Sequence, residues 1–82
     1  MRKLYATARE LNFILEYYIT ENDGVRGIEV VKKYEDGKVS VSEKSVCEKI
    51  CWNVAAVQRI AEMLAKNTVT PVGLSDVLED IE

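Results

Sequence analysis

Cys47 and Cys51 form a C-x3-C pair. Neighbouring thiolates can cycle through a disulfide or supply half of a tetrahedral zinc site. A C-x2-C spacing is the stronger sign of either, and zinc takes four ligands. The chain has two cysteines and no histidine, so one copy cannot complete a thiolate and imidazole site, although two copies could bring four thiolates together. A free cysteine is more often a small buried hydrophobe, and that reading is adopted for one or both. The lack of histidine also removes Ser-His and Cys-His pairs and the usual general base at neutral pH. Ser40, Ser42, Ser45 and Ser75 therefore have no base of that kind, and the four glycines are scattered rather than gathered into a phosphate-cradling loop. Paired glutamates could do acid–base work, but 82 residues leave little room for a pocket. The sequence predicts no catalytic activity, no cofactor and no metal.

Two further groups have the right chemistry for binding. Asp76, Glu79, Asp80 and Glu82 are clustered near the C-terminal end. Hard cations want six or more oxygens from a shaped loop, so a solvated helix face or a basic partner groove suits these carboxylates better. Tyr17, Tyr18, Tyr34 and Trp52 could stack nucleic-acid bases. Their cationic company is thin, comprising Lys32, Lys33, Lys38 and the basic N-terminal residues, and the formal net charge is −3. That balance disfavours nucleic acid, because phosphate binding needs a cationic excess.

The elements that must position these groups follow from patterning. At 82 residues, 48% hydrophobic and 30% charged, the chain suits one domain with a single thin core, for which self-association would be natural. Residues 1–10 read as a basic N-terminal arm carrying Arg2, Lys3 and Arg9. Residues 11–50 read as antiparallel strands. Leu11, Phe13, Leu15, Tyr17 and Ile19 alternate with Asn12, Ile14, Glu16, Tyr18 and Thr20. The run Glu21-Asn22-Asp23-Gly24 then supplies a hairpin turn. A second strand spans Val25 to Tyr34. Its turn is Glu35-Asp36-Gly37, and a third strand, Lys38 to Ser42, places Val39 and Val41 inward.

Residues 43–52 admit two readings. Ser45 and Glu48 fit a capping box that would start one long helix at Val46. The preferred reading continues the strands to about Ile50 and caps a shorter helix, 53–66, with Asn53. A second short helix over 70–81 begins with Thr70 as cap and Pro71 at its first position. It carries the stripe Leu74, Val77, Leu78 and Ile81. The expected fold is α+β: an antiparallel meander of three or four strands followed by an amphipathic helix and a short C-terminal helix.

This sheet would have a face that the core does not need. Ile14, Tyr18 and Val31 fall there, as an apolar patch of the kind that marks interfaces, unless Leu4, Tyr5 and Leu11 of the arm cover it. The sheet edges also invite pairing. Together with Asp76, Glu79 and Asp80, these residues form the expected interaction surface.

Tyr17-Tyr18-Ile19-Thr20-Glu21, Gly27-Ile28-Glu29-Val30-Val31 and the segment from Val69 to Asp80 carry a resemblance to a family of short clostridial proteins of unknown function. The most specific piece is the pattern Val-x-Pro-x-x-Leu-x-Asp-Val-x-Glu-Asp. The resemblance implies a bacterial cytosolic origin and brings no catalytic residue or cofactor with it. No apolar run approaches the roughly 20 residues of a membrane span, and the N-terminal residues lack the apolar stretch of a signal peptide. The expectation is a cytoplasmic protein-interaction or regulatory module that self-associates as a homodimer or meets an unknown protein partner. The alternative is a small nucleic-acid-associated regulator using the basic arm and the aromatic sheet face. A weaker third is an acidic protein seated in a basic groove of a nucleic-acid enzyme.

Overall fold

The computed structural model describes residues 1–34, 42–49 and 52–81. Four strands, β1 (Arg2–Arg9), β2 (Phe13–Asn22), β3 (Val25–Tyr34) and β4 (Ser42–Lys49), precede α1 (Val54–Lys66), a 3-10 turn at Pro71–Gly73 and α2 (Leu74–Ile81). The strands lie in the order β1-β2-β3-β4, each antiparallel to the next. This is the α+β meander with two trailing helices that the patterning predicts.

Tight turn chemistry fixes the β2–β3 register. Asp23 and Gly24 both have positive φ, 51° and 81°, the combination a two-residue type I′ hairpin needs to match strand twist. Ladder pairing then runs from Asn22 opposite Val25 to Phe13 opposite Tyr34. The residues first read as an arm form edge strand β1, with a bulge between Leu4 and Ala6. Its first four residues are exposed, so the strand lacks the apolar alternation that reveals a half-buried one. Backbone hydrogen bonds to β2 define it instead. The turn at 35–37 and the inward positions Val39 and Val41 lie outside the described residues. So does Cys51.

Asn53 settles where α1 begins, while Ile50, to which the preferred reading continues the strands, lies outside the described residues. Its Oδ1 accepts a hydrogen bond from the Ala56 amide at 2.8 Å, satisfying one of the free amides of the first turn of α1. Ser45 and Glu48 stay in β4. At the other end of α1, the Thr68 amide bonds to the Ala65 carbonyl at 3.2 Å and the Val69 amide to the Leu64 carbonyl at 3.0 Å. Thr68 occupies the left-handed region with φ 49°. This is a Schellman ending in which threonine takes the place usually filled by glycine. Thr70 makes no side-chain cap, and Pro71 opens the 3-10 turn rather than α2.

Both helices pack on one face of the sheet. Leu15, Tyr17, Ile28 and Val30 meet Val57, Ile60, Ala61 and Leu64 of α1, Leu74 and Leu78 of α2, and Trp52 in a single core. Tyr17 is fully buried, and its hydroxyl donates to the Val69 carbonyl at 2.9 Å. That bond fastens the centre of the sheet to the segment between the helices. Cys47 faces the same layer opposite Ile28, half-buried with a free thiol, as a small hydrophobe would be.

Candidate functional site

No described element lies over the second face of the sheet, and strand register arranges that face in four rows. Arg2, Thr20, Gly27 and Glu48 form the first, and Leu4, Tyr18, Glu29 and Val46 the second. Thr7, Glu16, Val31 and Lys44 form the third, and Arg9, Ile14 and Lys33 the fourth, in register with Ser42. The three sheet residues expected to share a surface, Ile14, Tyr18 and Val31, do share this face.

Their surroundings differ from an apolar patch. The Arg2 guanidinium lies 3.9 Å from the centre of the Tyr18 ring and reaches diagonally to the Glu29 carboxylate at 2.6 Å. The Tyr18 hydroxyl donates to Glu16 at 3.0 Å, and Lys33 pairs with the same Glu16 oxygen at 2.9 Å. Side chains from three strands thus form one chain of contacts, Glu29–Arg2–Tyr18–Glu16–Lys33. Beneath it Glu29, Val31 and Thr20 are only 4%, 5% and 6% exposed. The face roofs itself, which explains why Val31 is buried with no second layer over it. Leu4 and Val46 remain nearly half exposed at opposite margins of the second row. Leu11, read as cover, is 92% exposed. The N-terminal residues therefore widen the sheet rather than cover it.

Electrostatics fix the protonation of this chain. Burial alone would raise the Glu16 carboxyl, but the hydrogen bonds from Lys33 and Tyr18 and the charges of Lys33 and Arg2 outweigh it, leaving Glu16 below its ordinary value. Lys33 is raised in turn by its hydrogen bond and charge interaction with Glu16. A carboxylate held ionised is the opposite of a general acid poised for neutral pH. The Tyr18 ring is capped by Arg2, so the aromatic expected to receive a base is already engaged. Phe13 and Tyr34, with Lys32 over both rings at 4.3 and 4.9 Å, are on the opposite face.

The acidic positions belong elsewhere. Asp76 and Glu79 are exposed on α2, in the helix layer and away from Tyr18, and the side chain of Asp80 lies outside the described residues. Among the described residues no three histidine, cysteine or acidic side chains group as metal ligands, and no helix is long and apolar enough to cross a membrane. Sequence reading missed the contributions of Arg2, Glu16 and Glu29. The period-two pattern placed the two acids on the right strands, but only the register of β1 shows that Arg2 reaches them.

No curated protein and no solved structure matches the chain. A family of unknown function, DUF6514, is matched over residues 2–82, and the chain belongs to that family.

Proposed function

We propose that this domain is a protein-interaction module without catalytic activity, and that it docks a second copy of itself through the open face of the sheet in a weak, reversible equilibrium. The observation that carries the reading is the second row, where Leu4 and Val46 flank a fixed polar centre at equal depth along the strands. A two-fold axis parallel to the strands and central to the sheet lays β1 of one copy over β4 of the other. Leu4 then meets Val46 at both margins, and Arg2 meets Glu48 in the neighbouring row. Such self-complementarity is what an isologous interface requires.

Size sets the strength. Four strands about 4.8 Å apart and about eight residues long give a face of roughly 500 Å² on each copy, at the low end of specific interfaces. Association of that kind is transient and responds to concentration, as suits regulation. The low Glu16 carboxyl and the lack of histidine support a non-catalytic role.

Sedimentation velocity over a wide concentration range tests the proposal. The expected result is a reversible shift from monomer to dimer mass that weakens with salt. Leu4→Glu or Val46→Glu should abolish it with the circular dichroism spectrum unchanged. A single monomeric species at millimolar concentration would overturn it.

A further inference from the structure

The helix-covered face holds a second feature, at the end where the sheet outruns α1. A cleft of about 270 Å³ opens there, lined by Met1, Lys3, Tyr5, Ile19, Glu21, Arg26, Val54 and Gln58. Its walls explain three otherwise unrelated exposures. Met1, Tyr5 and Val54 are large hydrophobics left 79%, 40% and 52% exposed, and all three converge on this one space. Isolated exposed hydrophobics need no explanation, but several gathered around a cavity resemble the apolar lining of a ligand site.

The polar groups are few and mostly cationic. Arg26 donates through Nη1 to the Trp52 carbonyl at 3.3 Å. Its Nε lies 3.5 Å from Glu21 Oε2, beyond the usual N–H···O range, and that buried N–H makes no hydrogen bond. Lys3 has no carboxylate partner among the described residues. Two cations therefore face a single acid that satisfies one of them only partly. A guanidinium with donors to spare and a free ammonium, beside an apolar wall, complement a carboxylate that carries a hydrocarbon tail.

We propose that this cleft binds a small aliphatic carboxylate, its head group held by Lys3 and Arg26 and its tail lying against Tyr5, Ile19 and Val54. A cleft of about 270 Å³ has room for a short acid such as one of six carbons. The site lies on the face opposite the proposed docking surface, so either assignment can fail without the other.

Amide shifts of the full chain, followed by NMR during titration with hexanoate, test the assignment, with hexanol and hexylammonium as charge controls. Hexanoate should saturate with shifts centred on Lys3, Ile19, Arg26 and Gln58. The controls should bind about tenfold more weakly, the loss of one charge-assisted hydrogen bond. Lys3→Gln removes an exposed side chain without touching the core and should weaken hexanoate several-fold while leaving hexanol unchanged. Arg26→Gln should do the same, provided its amide dispersion shows it folded. Equal binding of hexanol and hexanoate, non-saturating shifts, or an unaffected Lys3→Gln variant would each overturn the site.

Discussion

Tyr17 and Tyr18 are consecutive on β2 and shelter their rings by opposite means. Tyr17 points into the helix layer, loses all contact with water and satisfies its hydroxyl on the Val69 carbonyl. Tyr18 points to the open face, takes the Arg2 guanidinium over its ring and gives its hydroxyl to Glu16. The first face rests on apolar area and packing, which are non-directional. The second rests on charges and hydrogen bonds, each contributing little where exposed but expensive to leave half made. One sheet thus carries two kinds of stability, and they should respond to different insults.

Truncation separates them most strongly. Leu15→Ala opens a cavity in the fully buried core and should cost about 2–5 kcal/mol in a chemical denaturation midpoint analysis. A loss under about 1 kcal/mol would mean that the helix layer packs loosely and the faces are not so different.

The pH response should be two-sided. Burial first, and then the Glu10 charge, push the Tyr17 phenol up to about 12 from 10.0. Between those values the unfolded chain has lost this proton and the folded one has kept it, so stability falls as pH rises through that window, by roughly 2–3 kcal/mol in all. Glu16 works in reverse: its folded value is lowered, so its contribution is present above the ordinary carboxyl range and fades as pH falls through the folded value. Thermal melts from pH 3 to 12 should show both limbs. Tyr17→Phe should flatten the alkaline limb and leave the acid one, and Glu16→Gln should flatten the acid limb.

Arg2→Ala should cost about 1–2 kcal/mol. It strands Glu29, whose side chain is 6% exposed, while Arg2 itself is 46% exposed and its pairing is partly screened by solvent. A double-mutant cycle with Glu29→Gln measures the coupling, and an additive cycle would dissolve the idea of a connected roof. The smallest change should have the opposite sign. Thr20 buries a hydroxyl with no hydrogen-bond partner, so Thr20→Val should raise stability by up to about 1 kcal/mol.

The sequence revealed the helix-covered face more readily than the open one. Alternation through Leu15 and Tyr17, the Asp23-Gly24 turn and the Leu74, Val77 and Leu78 stripe are local signals, and each marks an element now seen. The helix start at Asn53 was legible for the same reason, since a cap needs only three residues. β1 was not, because Arg2 to Arg9 has neither strong β-propensity nor a buried stripe and is defined by long-range pairing alone. The open face suffered most from that gap. Ile14, Tyr18 and Val31 share that face, but only the pairing of β1 brings Arg2 over Tyr18 and makes the face polar. Asp76 and Glu79 lie on α2 in the helix layer, a placement that charge on a short helix does not reveal.

The Tyr17 bond to Val69 also has a kinetic meaning. Adjacent hairpins of a meander close on the microsecond scale from local contacts. Tyr17 and Val69 are 52 residues apart, so their bond closes a long loop and is expected to form late, as a latch rather than as part of a nucleus. Removing it should therefore hasten unfolding while leaving the folding rate nearly unchanged, so that the lifetime of the folded domain is set by a hydroxyl at the centre of its sheet.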